Sequence, residues 1–215
     1  MLRKYLDDLR TFPGDAAIGW QRERWRGVWD ALAVRSVYRV FRRGRFIVYA
    51  QPLDAARELP APAGVRLALL TEADWPALEQ LVGRRDLRRF RLLHERGHLC
   101  AVAWRGERLI GYAWVALRME PAVTECALPL PPRAAYLWDL FVVPEERARG
   151  VGSALARERL RLAREHGRGD GWRMITPDNH ASVKTLARSG HTTRVVGEVR
   201  YVKLLSRVRS RFVPA

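Results

Sequence analysis

The stretch Tyr136–Ala156 constrains this chain more than any other. A largely apolar run, Ala134–Val143, is closed by Pro144 and followed by Glu145-Glu146-Arg147-Ala148-Arg149-Gly150-Val151-Gly152. From about Gly150 to His166, Val151, Ala154, Leu155 and Leu162 recur at helical spacing, and Gly167 stands just past the end. A strand therefore passes through a tight loop directly into a helix. Gly150 and Gly152 let the backbone come close to a ligand. The first helical turn offers unpaired N–H groups at the positive end of the helix dipole. Together they form a cradle suited to a pyrophosphate, to which Arg147 and Arg149 can add charge-assisted contacts. The loop lacks the Gly-Lys-Ser/Thr of a Walker loop and the three glycines of the dinucleotide fingerprint, so it is neither.

The rest of the chain supplies strands and helices in a definite order. The Pro/Ala/Gly stretch Leu59–Gly64 marks a boundary, since it can neither extend a helix nor sit in a central strand. After it, Val65–Leu70 reads as a strand and Thr71 as the cap of a helix over Glu72–Val82, with a second helix over Asp86–Arg96. Two strands, His98–Trp104 and Arg108–Arg118, form a hairpin about Arg105-Gly106-Glu107. The proline-rich segment Glu120–Arg133 is a loop. Beyond the central helix come a strand at Arg173–Thr176 and a short helix at His180–Arg188 ended by Gly190. Strand-like runs follow at His191–Val196 and Glu198–Leu205, with Gly197 as the break between them. This order predicts an α+β chain, a mixed sheet with helices packed on it.

Residues 1–64 read as an N-terminal extension to the domain formed by residues 65–215. From Trp20 to about Arg43, Trp25, Val28, Trp29, Leu32 and Val40 share a helix face, and Phe46–Gln51 reads as a strand. Such a basic, Trp-rich helix either packs on the main domain or touches a membrane surface or partner. The net charge of +16 is spread along the chain, with 12 Lys/Arg against 7 Asp/Glu in residues 1–64 and 27 against 16 in the remainder. Arginine supplies nearly all of it, either as a mark of a GC-rich genome or as an attraction for something anionic. No nucleic-acid-binding motif accompanies the charge. No apolar run is long enough for a membrane span, the first residues contain no leader-like apolar stretch, and Cys100 and Cys126 have no metal or redox spacing. A cytoplasmic protein without a metal is expected.

Leu140–Leu155 resembles motif A of the GCN5-related N-acetyltransferase (GNAT) superfamily, whose signature is Arg/Gln-x-x-Gly-x-Gly/Ala after a strand. Asn179-His180-Ala181-Ser182, followed by Leu186 and Gly190, resembles motif B of the same superfamily. The element order from Val65 to Leu205 agrees, so the resemblance covers about two thirds of the chain. It implies the GNAT fold: a mostly antiparallel sheet splayed between its fourth and fifth strands, counted from Val65, and flanked by helices. It further implies that acetyl-CoA, or another acyl-CoA, lies in that gap. Leu140, Phe141 and Val142 would bond the pantetheine arm through their backbone. Arg147, Ala148, Arg149, Gly150, Val151, Gly152 and Ser153 would hold the pyrophosphate. Asn179 and Ser182 match positions that face the cofactor, although Asn179 is equally suited to a plain helix cap.

Acyl transfer to an amine needs a base, a polarised carbonyl and a leaving thiolate. Many members of the superfamily carry an acidic Tyr where this chain has Leu186, so no catalytic tyrosine is carried over. Asp139 is the best-placed carboxylate, as base or amine-binding group, or else as a structural partner of backbone or arginine. Trp138 stands where polyamine acetyltransferases of the superfamily carry a carboxylate, which argues against that substrate class. Tyr136 shares a strand face with Trp138 and can line an acceptor pocket. His94 and His98 read as surface or satisfied core histidines. The acceptor is an amine of a small molecule or a protein, selected by the 120–133 loop and the N-terminal extension. A homodimer is open to such a chain. Two other readings are a CoA-binding sensor or scaffold without turnover, and an acyltransferase fed by a carrier protein.

Overall fold

A computed structural model describes residues 41–53, 60–187, 192–205 and 207–215. Eight strands form one sheet: β1 (Phe41–Pro52), β2 (Arg66–Leu69), β3 (Leu99–Arg105), β4 (Arg108–Ala116), β5 (Ala134–Val142), β6 (Asp170–Ile175), β7 (Arg194–Leu204) and β8 (Arg207–Pro214). Three helices accompany them: α1 (Trp75–Glu95), α2 (Val151–Glu165) and α3 (His180–Ala187). The spatial order is β2-β3-β4-β5-β6-β1-β7-β8, and every pairing is antiparallel except β5 with β6. The α+β class and the mixed sheet agree with the sequence.

Local chemistry explains most boundaries. Thr71 and Asp74 cap the turn before α1, with the Thr71 N–H and hydroxyl both bonding the Asp74 carboxylate at 2.7 and 2.9 Å. Gly83, at φ 79° and ψ 164°, breaks α1 into two helical pieces, as the two separate helical patterns predict. A two-residue turn at Gly106-Glu107 joins β3 to β4, whose continuous apolar runs are buried on both faces. The core gathers Leu78, Phe90, Leu93, Val102, Ile110, Tyr112, Trp114 and Leu155 between the sheet and its helices.

Three expectations are corrected. The helix expected over Trp20–Arg43 lies outside the described residues up to Val40, and Phe41–Arg43 open a strand. That strand does not merely pack on the domain: β1 is inserted in the sheet, between β6 and β7. Gly197 is not a turn between two strands but an interior residue of β7, beside a register shift in the β1–β7 pairing. A Cβ there would meet the Val213 carbonyl oxygen at 2.3 Å and the Phe212 ring at 2.7 Å, so close approach, at φ 153°, is what requires glycine. The hairpin turns instead at Leu205, at φ 55°, and the chain returns as β8, a strand missing from the sequence reading.

Candidate functional site

The parallel pairing of β5 with β6 lasts only from Ala134–Tyr136 to Asp170–Trp172. Beyond Tyr136 the two strands part, while β6 stays bonded to β1 through Ile175. From Leu137 to Val142, β5 therefore has no described strand beside it on the side that faces β6, and a wedge-shaped gap opens there. This gap separates the fourth and fifth strands counted from Val65. On its other side, β5 carries a bulge: Tyr112 faces Phe141 and Trp114 faces Trp138, so Ala113 opposes both Asp139 and Leu140. Asp139 sits at φ 42° at this irregularity, and its carboxylate accepts a hydrogen bond from the Tyr112 hydroxyl at 3.3 Å. Nothing in the sequence pointed to Tyr112, because the contact spans 27 positions.

The wide end of the gap opens on the glycine loop. Ala148 (φ 61°) and Gly150 (φ 83°) alternate in the left-handed region, a geometry that turns successive N–H groups inward. The first helical bond of α2 runs from the Ala154 N–H to the Gly150 carbonyl at 2.9 Å. The N–H groups of Val151, Gly152 and Ser153 thus have no helical acceptor. A Cβ at Gly152 would make only ordinary contacts, 3.7 Å from Val142 and 3.9 Å from Leu140, so the protein itself does not demand glycine there. At Gly111, by contrast, a Cβ would stand 2.6 Å from the Phe141 carbonyl oxygen and 2.9 Å from Leu155. β4 passes that tightly beneath β5 and α2.

A buried carboxylate braces the loop. Glu146 takes two hydrogen bonds from the Arg105 guanidinium, at 2.8 and 2.9 Å, and Arg105 also donates to the Ala63 carbonyl at 3.1 Å. The Arg105 hydrogen bonds hold the Glu146 carboxyl below its usual range. Arg149 lies 3.8 Å from the same carboxylate. Arg147 donates to the Val142 carbonyl at 3.1 Å and lies over the Phe141 ring. The sequence aimed both loop arginines at a phosphate, yet each has a partner on the protein. Asn179 caps α3, its side-chain oxygen accepting the Ser182 N–H at 3.1 Å. Leu186 is buried.

On the α1 side of the gap stand Tyr136 and Trp138, one face of β5, with Trp138 stacked on Trp114 and covered by Arg89 at 4.6 Å. Arg89 is fixed by the Ala122 and Val123 carbonyls at 2.6 and 2.7 Å. The indole N–H groups of Trp138 and Trp172 are buried without an acceptor, and burial pushes the Tyr136 phenol up. The 120–133 loop forms one wall of a groove of about 530 Å3 that Phe212 of β8 completes. Its carboxylates are engaged: Glu120 by His98 and Arg96, Glu125 by Lys203 at 3.0 Å. His98 is a satisfied core residue, its Nδ1 accepting the Leu117 N–H at 3.2 Å. On the α2 side, Arg159 and Arg173 are buried with no carboxylate partner among the described residues. Burial and the nearby Arg173 lower the Arg159 pKa, and burial brings Arg173 down to about 10.

The family model described as "Acetyltransferase (GNAT) family" matches residues 66–191. No curated protein matches the chain. Among solved structures, a Drosophila protein aligns with a TM-score of 0.57 at 15% identity, over 86% of this chain and 68% of its own. A tandem GNAT protein from the clavulanic acid biosynthesis pathway aligns at 0.54 and 18%, over 80% and 55%. The GCN5-related glucosamine N-acetyltransferase region of a fungal multi-domain β-N-acetylglucosaminidase aligns at 0.52 and 14%, over 81% and 22%. At these identities the structures share the fold.

Proposed function

The chain belongs to the acetyltransferase (GNAT) family, and on that premise we propose that it transfers an acyl group, in the first instance acetyl, from acyl-CoA directly to an amine. The observation that carries this reading is the wedge between β5 and β6 opening on three N–H groups at the start of α2. Bound acyl-CoA supplies a thioester whose carbonyl carbon is open to attack by an amine.

The residues fit that donor in three respects. The side of Leu137–Val142 that faces β6 has no described strand beside it and leaves the pantetheine arm room to lie as an added strand. The N–H groups of Val151, Gly152 and Ser153, with the left-handed turns at Ala148 and Gly150, suit a pyrophosphate. The bulge at Asp139 interrupts the β4 pairing where the narrow end of the wedge begins. Asp139 receives the proton of the acceptor amine, and the Tyr112 hydroxyl orients its carboxylate. With Leu186 in place of a tyrosine, the departing thiolate takes its proton from solvent. Trp138 and Tyr136 form the apolar side of the acceptor site. Residues 1–64, as an extension, and the 120–133 loop would set which amine enters. The protein would work in the cytoplasm.

The test is thiol release from acetyl-CoA over a panel of small amines and peptides, alongside CoA binding by calorimetry. Acyl-CoA binding with amine-dependent thiol release supports the proposal. Binding without turnover over the whole panel would favour the sensor reading, and absence of binding would defeat both.

A further inference from the structure

The β1–β7–β8 end of the sheet carries a pattern that the site does not use. The two registers place residues in rows across one face: Phe41, Leu204 and Arg207 at the tip; Arg43, Val202 and Arg209 behind them; Arg45, Arg200 and Arg211 behind those. All nine are exposed. Six are arginines. Only Arg45 and Arg200 meet a carboxylate, that of Glu198, whereas Arg43, Arg207, Arg209 and Arg211 have no acidic partner among the described residues. Four of the eight exposed large hydrophobic residues among the described ones gather at or next to this tip: Phe41, Val202, Leu204 and Leu205, each between 45% and 58% exposed. Apolar groups standing together in water mark an interaction surface.

From this pattern we infer that the β1–β7–β8 ribbon docks tip-first on an anionic lipid bilayer. The tip row sets Phe41 and Leu204 beside Arg207, with Leu205 in the adjoining turn. Behind it the rows become richer in arginine in steps of about 6.8 Å, two residues along a strand. A bilayer presents the matching profile, hydrocarbon beneath a plane of phosphates, and an interfacial element sinks roughly 5–10 Å into it. Phe41, Leu204 and Leu205 would enter the acyl boundary. Arg43, Arg207 and Arg209 would sit at phosphate level, their long stems letting the charge reach the headgroups.

Other occupants fit less well. Charged residues on β8 alone would be explained as protection of an edge strand, but Arg43, Arg45 and Arg200 lie on interior strands. A second copy placed face to face would oppose arginine with arginine. A single-stranded nucleic acid prefers aromatic rings along the track of the bases, and this face has one ring, Phe41, at its tip. The inference does not depend on the acyltransfer reading.

The test is co-sedimentation of the full chain with phosphatidylcholine vesicles, with and without phosphatidylglycerol at about one third of the lipid. Three variants accompany the wild type: Leu204→Ser/Leu205→Ser, Arg207→Glu/Arg209→Glu/Arg211→Glu, and Arg84→Glu/Arg88→Glu/Arg164→Glu, which makes the same charge change elsewhere. We expect binding only to the anionic vesicles. The ribbon charge variant should lose affinity by on the order of 100-fold, and the leucine variant several-fold with its salt dependence unchanged. The remote variant should retain most of its binding. Equal losses in the two charge variants would reduce the effect to net charge and overturn the inference. So would no vesicle binding, or no effect of the leucine substitutions together with tight binding to polyuridylate.

Discussion

Gly152 separates a glycine kept for a ligand from one kept for the fold. Its Cβ position is open, with Val142 and Leu140 at 3.7 and 3.9 Å. Gly152→Ala should therefore leave the fold intact and stabilise it by up to about 1 kcal/mol, the helix preference of Ala over Gly. For a chain of this size that raises Tm by roughly 2–4 °C. Gly152→Trp should also fold, but its side chain would cover the N–H groups of Gly152 and Ser153. Two charge-assisted bonds to a pyrophosphate are then lost, at about 1.5–3 kcal/mol each. With tenfold per about 1.4 kcal/mol, CoA affinity should fall by roughly 150-fold or more. Calorimetric titration of CoA, beside a thermal melt of each variant, measures both quantities. A Trp variant that melts normally and binds CoA within about threefold of wild type would refute the placement of the cofactor.

Asp139→Asn should lower kcat by roughly 100-fold or more with CoA affinity unchanged; Tyr112→Phe should cost less and shift the pH-rate profile, and steady-state kinetics across pH checks both. Gly111→Ala drives a Cβ to 2.6 Å from the Phe141 carbonyl oxygen, so it should destabilise by about 1–3 kcal/mol, read as a lower Tm. For His98, burial lowers the pKa, against the opposing effect of Glu120. The unfolded chain then binds the proton more readily, so stability is complete above about 6.5 and declines as pH falls from there toward the folded value. Melts from pH 8 to 5 should show that decline, and His98→Gln should flatten it.

The elements that lie close in sequence were legible in it, and those that depend on distant pairing were not. Pro144, Gly150, Gly152 and Gly167 bound the strand-loop-helix unit by rules of backbone conformation, and the structure keeps β5 and α2 within a residue of the expected limits. The same habit of reading glycine as punctuation failed at Gly197, where packing against Val213 and Phe212 decides the residue. β8 was not read from the sequence: Arg207, Arg209 and Arg211 alternate there with Val208, Ser210 and Phe212, and its pairing with β7 depends on the turn at Leu205. Nothing local indicated that β1 would enter the sheet between β6 and β7, because its register is set by residues more than a hundred positions away. In the site, the loop's position followed from spacing, whereas the Glu146–Arg105 brace and the turn of Arg147 toward Val142 depend on side-chain direction.

A crystal structure of the chain with CoA should show the pyrophosphate on the N–H groups of Val151, Gly152 and Ser153 and the pantetheine arm along Leu140–Val142, its thiol end toward Asp139. CoA bound elsewhere, or a wedge between β5 and β6 filled by protein side chains, would contradict that placement.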